Sequence, residues 1–197
     1  MLRKIFLLLF IVLINFAAHA QSADSVYNQY LNFNLARFQG ENDKLLGLGE
    51  SLLPVADKLP ERTRINFYFA MGKIYDDDAQ PQKAIIFYDK VVAAVPDYYV
   101  VHRGLGYIYL AQAKEIKNKL YATTDPALVK KLTDDYSAAA RKALPHLEKA
   151  QACDPSDETL DEIKILYTNM KDSEGLKTLD NRLKQLSMHC VDILEDK

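Results

Sequence analysis

The sequence predicts an all-α chain built from antiparallel helix pairs, and three observations carry that reading. Aromatic and apolar residues recur at three- and four-residue intervals, as at Tyr68, Met71 and Tyr75, which puts them on one face of a helix. Prolines fall between such stretches, at Pro60, Pro96 and Pro155, where a helix has to stop. The string Met71-Gly72-x2-Tyr75 returns as Leu105-Gly106-x2-Tyr109, 34 residues further on from Gly72 to Gly106. A spacing of that length marks an internal repeat rather than a single irregular domain.

Composition agrees with a packed, ordered chain. Apolar residues make up 49% of the 197, with only 7 Gly and 7 Pro. The net charge is −2, which lacks the basic footprint of a nucleic-acid binder.

The elements follow in order. Residues 1–20 open with Arg3 and Lys4, continue as an apolar run from Ile5 to Phe16, and end on Ala18-His19-Ala20. This is the layout of a secretory signal peptide cut before Gln21. The run of ~12 apolar residues is short of the ~20 needed to span a bilayer, so the mature chain is expected to be exported, to the periplasm or outside, with no transmembrane helix. The mature domain, 21–197, divides into four units at 24–60, 65–96, 99–155 and 157–192. In the first, Tyr27 to Phe38 and Lys44 to Lys58 read as helices, with Pro54 disturbing the second. In the next unit, Pro81 suits a first helical turn. The Asp76-Asp77-Asp78 run is expected near the start of the second helix, where carboxylates oppose the dipole; a metal site there is the sharper alternative.

The third unit is lengthened. Leu110, Ala113, Ile116 and Leu120 continue its first helix, and Thr123-Thr124-Asp125-Pro126 reads as a turn with Asp125 as cap. Leu128, Leu132, Tyr136, Ala140, Ala143 and Leu147 answer as the second stripe. Both helices gain about three turns, so the hairpin should project ~18 Å, and Pro145 should kink its second arm. The last unit takes Glu158 to Met170 and Ser173 to Val191 as its helices.

The order aromatic-x2-Leu-Gly-x2-Tyr, then Ala-x3-Phe, then Pro is the signature of the tetratricopeptide repeat. Tyr68, Met71, Gly72, Tyr75, Ala84, Tyr88 and Pro96 fill those places here, as do Leu105, Gly106 and Tyr109 with the displaced Ala143, Leu147 and Pro155. The chain therefore resembles that family, which implies an α-solenoid with one extended helical hairpin. The first helices of such a stack line a concave groove. Carrying the groove places over gives Tyr30, Phe33 and Arg37, then Asn66, Phe69 and Lys73, then Arg103 and Tyr107. Phe33 and Phe69 stand where the family's carboxylate-holding members place polar residues. The alternative is that this set packs against the neighbouring end units or the long hairpin.

No catalytic motif is present: there is no phosphate loop, no Gly-x-Ser-x-Gly and no His-Glu-x2-His. His102, His146 and His189 are far apart in sequence, and His102 occupies a packing place of its repeat. Cys153 and Cys190 are permitted a disulfide in an exported chain; two buried thiols are the alternative. The function implied is protein–protein interaction, as an adaptor or assembly factor of the bacterial cell envelope that holds a peptide or partner segment in its groove, without enzymatic activity, metal or cofactor. A small-ligand receptor using the same aromatic groove is the second possibility. The lysines of the hairpin tip, Lys114, Lys117, Lys119, Lys130 and Lys131, offer a further contact for an acidic partner or membrane, or simply a solvated surface.

Overall fold

The computed structural model describes residues 22–194; the expected signal peptide lies outside them. Among the described residues helix is the only regular structure, with no strand and one isolated parallel bridge between Tyr98 and Val191. No helix among them is long and apolar enough to cross a membrane. The chain divides into two compact units, up to Arg64 and from Ile65 onward.

The first unit pairs α1 (Ala23–Gln39) with α2 (Asn42–Leu52), followed by a 3-10 helix over Leu53–Lys58. Ser22 caps α1 by accepting from the Ser25 amide at 3.2 Å. Gly40 closes it, and its amide donates to the Ala36 and Arg37 carbonyls. Pro54 marks the change from α to 3-10 geometry, because its ring cannot continue an α-helix interior. Val26, Phe33, Ala36, Leu45, Leu52 and Ala56 are buried here. On the opposite side of α1, Tyr27, Leu31, Leu35 and Phe38 remain exposed.

The second unit contains α3 (Glu61–Asp77, which begins just before the division), α4 (Pro81–Ala94), α5 (Tyr99–Tyr121), α6 (Pro126–Cys153), α7 (Asp157–Met170), α8 (Ser173–Lys177) and α9 (Leu179–Leu186). The lengthened hairpin is present, with α5 of 23 residues and α6 of 28. Asp125 caps α6 by accepting from the amides of Ala127 (2.9 Å) and Leu128 (3.4 Å), and Pro126 occupies the first turn. α6 runs on through Pro145 to Cys153. The shared core joins Leu110 and Ala113 of α5, Tyr136 and Leu147 of α6, Ile163 and Leu166 of α7. Leu179 of α9 closes it.

Three expectations need correction. Asp76 and Asp77 belong to the last turn of α3, not to the start of the next helix. α4 is preceded by Gln80, whose side chain makes no cap bond, and the turn itself is made by Ala79 at φ +54. Lys73 reaches Asp77 at 2.5 Å, offsetting a carboxylate at the negative end of the helix dipole. The last predicted helix is not continuous: Thr178 separates α8 from α9, and the chain leaves helix after Leu186. Leu128 is exposed at the hairpin tip, while the rest of its stripe from Leu132 onward is buried.

Candidate functional site

The two helix pairs α3–α4 and α5–α6 repeat one set of contacts. A Cβ on Gly72 would lie 2.5 Å from the Tyr88 ring, and one on Gly106 would lie 2.8 Å from Leu147. Each glycine thus lets the second helix of its pair approach where any side chain would collide. Beside this junction Tyr68 and Phe87 lie 6.0 Å apart, tilted at 38°, and Tyr75 stacks on Phe87 at 5.5 Å. The equivalent places in the next pair are His102, His146 and Tyr109. His102 and His146 lie 5.0 Å apart, tilted at 42°, and Tyr109 stacks on His146 at 5.9 Å. Even the cations correspond: Lys83 lies over Tyr75 at 4.8 Å and Lys142 over Tyr109 at 5.8 Å.

The fold thus brings together two histidines that are distant in sequence. His146 Nδ1 is 3.0 Å from His102 Nδ1, and His102 Nε2 is 3.0 Å from the Pro96 carbonyl. A carbonyl only accepts, so His102 carries its hydrogen on Nε2 and offers a bare Nδ1. His146 must then donate from Nδ1. Burial lowers the pKa of His146 to about 4, with His102 adding to the effect. Burial also lowers that of His102, against the hydrogen bond to the Pro96 carbonyl, which favours the charged ring; Lys149 acts in the same direction as burial. Sequence spacing alone did not show the pair; placing position 102 on 68 and 146 on 87 would have.

Next to the pair, the C-terminal segment after α9 is fastened in three ways. Lys149, only 5% exposed, forms an ion pair with Asp97 at 2.7 Å and donates to the carbonyls of Leu186 (3.4 Å) and His189. That hydrogen bond from Lys149 holds the Asp97 carboxyl below its ordinary range. The Val191 amide donates to the Asp97 carbonyl at 2.8 Å, and the Tyr99 amide donates to the Val191 carbonyl at 3.2 Å. Cys153 and Cys190 form a disulfide with Cα atoms 5.7 Å apart.

The predicted groove residues meet different fates. Tyr30 is 4% exposed and Phe33 is fully buried. Both therefore serve the core, since an aromatic ring without exposed surface cannot anchor a ligand; Arg37 is exposed, with its guanidinium over Phe38 at 5.7 Å. Asn66 is half-buried on α3. Phe69 is half-buried, edge-on to Tyr98 at 5.1 Å. Lys73 is exposed on α3 and engaged with Asp77. Arg103 binds the Asp154 carboxylate at 2.6 Å, and the Tyr107 hydroxyl bonds Thr159 at 2.9 Å. Arg103 thus joins α5 to the end of α6, and Tyr107 joins it to the start of α7, so both side chains already have partners within the chain.

Further along the same wall, Lys114 of α5 pairs with Glu162 of α7 at 2.5 Å. Beside that bridge opens a cleft of about 150 Å³, lined by Leu110, Lys117, Tyr136, Ile165, Leu166 and Asn169 among others. Its lining is mostly apolar. Ile165 is 48% exposed at its edge, and Lys117 lies over the Tyr121 ring at 5.6 Å, in no ion pair among the described residues. Asn169 donates to the Tyr136 hydroxyl at 2.9 Å, which fixes the floor. A second, more polar cleft of about 310 Å³ lies on the other side of α7, near Glu148 and Arg141. Glu148 is occupied there: Tyr167 donates to it at 2.5 Å and Arg182 at 2.8 and 2.9 Å.

Comparison with known proteins adds nothing to this geometry: no family model matches the chain, and neither curated proteins nor solved structures provide a similar one.

Proposed function

We propose that this is an exported helical-repeat protein of the tetratricopeptide kind, acting as a binding adaptor in the cell envelope. It holds a segment of a protein partner against the wall made by α5 and α7. The observation that carries this reading is the cleft between them: an apolar recess of about 150 Å³ with Ile165 exposed at its edge and Lys117 without a carboxylate partner. A cavity of about that volume accepts a benzene-sized group. The occupant of matching chemistry presents one apolar side chain with an acidic neighbour, the latter facing Lys117. The repeated contacts around Gly72 and Gly106 support the repeat reading. The Cys153–Cys190 bond supports an oxidising compartment.

The test is the pair Ile165→Asp and Lys117→Glu, compared with the unaltered protein for cross-linked partners in envelope extracts. Ile165 is half exposed, so its replacement leaves the core intact. Expected is at least a tenfold loss of the captured partner with unchanged far-ultraviolet circular dichroism. A variant that keeps its partner in full removes the α5–α7 wall as the working surface.

A further inference from the structure

The α5–α6 pair differs from its neighbour at one kind of place. Where α3–α4 uses Tyr68 and Phe87, which do not change charge near neutral pH, α5–α6 uses His102 and His146. Their hydrogen bonds form a directed chain. His146 Nδ1–H donates to His102 Nδ1, and His102 Nε2–H donates to the Pro96 carbonyl. Pro96 adjoins Asp97, whose carbonyl and carboxylate hold Val191 and Lys149.

We infer that the His102–His146 pair is an acid-operated latch on the C-terminal segment: neutral, it fixes the 96–99 turn to which that segment is fastened; protonated, it lets the turn and the segment part.

The pair has room for one extra proton at most. A proton on His146 Nε2 leaves the link intact but places a cation in a half-buried position. A first proton taken by His102 instead reverses the link, with His146 accepting at Nδ1 and carrying its hydrogen on Nε2; a second proton puts a hydrogen on both Nδ1 atoms, and two donors then face each other across 3.0 Å. The charged neighbours do not offset this. Lys142 and Lys149 of α6 are cations, and Lys149 opposes protonation of His102. The Pro96 carbonyl, which accepts from Nε2–H in either state, favours the charge against the larger effect of burial, so the link that fails is the one between the two rings; Asp97 favours it more weakly, and is itself held by Lys149. Asp89 of α4 acts on Tyr109, and His189 of the C-terminal segment acts on Asp97. In the unfolded chain both histidines take protons at their ordinary value. The folded pKa of His146 lies below that, so the neutral pair's contribution is present above about pH 6.5 and is lost as pH falls towards about 4. The disulfide keeps Cys190 tethered, so opening is local.

The experiment uses the disulfide-bonded protein. Imidazole nitrogen spectra at pH 7.5 should place the hydrogen of His102 on Nε2 and that of His146 on Nδ1. Both rings should titrate below the ordinary histidine value of about 6.5. Between pH 7 and pH 4, amide exchange at Tyr99 and Val191, corrected for intrinsic rates, should accelerate at least tenfold more than exchange within α3 and α4. The double variant His102→Tyr with His146→Phe, which copies the neighbouring pair, should show less than a threefold excess. A His102–His146 pair that titrates at the ordinary histidine value, unchanged protection of Tyr99 and Val191, or the same acceleration in the double variant would each overturn the latch. If the double variant fails to fold, the titration and exchange of the unaltered protein decide.

Discussion

Tyr88 determines what can stand at position 72. Its ring fills the space a Cβ on Gly72 would need, and it also closes on Gly104, where a Cβ would lie 2.8 Å away. One buried ring is therefore shared between the α3–α4 pair and the first turns of α5. Gly72→Leu forces that ring out of place. It should lower unfolding free energy by about 1–3 kcal/mol, although leucine is the better helix former. Urea unfolding followed by circular dichroism measures it. A change within about 0.5 kcal/mol would mean that Tyr88 has room to move. This close approach was legible in the sequence, because Gly-x2-Tyr occurs twice at one spacing. The fates of Arg103 and Tyr107 were not. Both lie on one side of α5, but whether a side chain there meets a ligand or its own chain depends on Asp154 and Thr159, some fifty residues away in sequence.

At the scale of elements, helix ends marked by proline and caps were the readable part. Pro54, Pro126 and Asp125 act where their chemistry requires. The end of the chain was less readable, because long-range bonds override local pattern there. Leu183 and Leu186 extend the helical spacing towards Val191, yet helix stops at Leu186. Beyond it the chain turns over 187–189, and Lys149, the Val191 bridge and the disulfide take it up. The disulfide joins residues 37 apart in sequence. Closing a loop of that size in the unfolded chain is worth about 3–4 kcal/mol in the chain-entropy treatment. The double variant Cys153→Ser, Cys190→Ser should lose roughly that much stability, as should the reduced protein. A loss confined to about 0.5 kcal/mol would show that Lys149 and the bridge hold the segment without it.

For the molecule as a whole, the lengthened hairpin is the departure from a regular repeat, and its two parts have different duties. Position 111 of α5 corresponds to 77 of α3, and position 140 of α6 to 81 of α4, so 112–139 is the inserted stretch. Its inner portion is core: Ala113, Leu132, Tyr136 and Ala139 are buried, and Tyr136 bonds Asn169 on α7. Its outer portion is not, since Tyr121 and Leu128 are exposed and Lys119 and Lys131 pair only within their own helices. Removing one turn from each arm, 118–121 with 127–130, retains the turn around Asp125 and the inner packing. That variant should stay within about 1 kcal/mol of the full chain, because only exposed surface and weak helical ion pairs are lost. Replacing all of 112–139 with the three residues Asp-Ala-Gln, as at 78–80, should preserve the contact of Gly106 with Leu147. It strips α7 of the partners for Leu166 and Asn169, however, and a loss of several kcal/mol is expected from the emptied core. Urea unfolding of both variants tests the division. If the short deletion is as costly as the long one, the tip is structural; if the long deletion is tolerated, α7 stands without the hairpin.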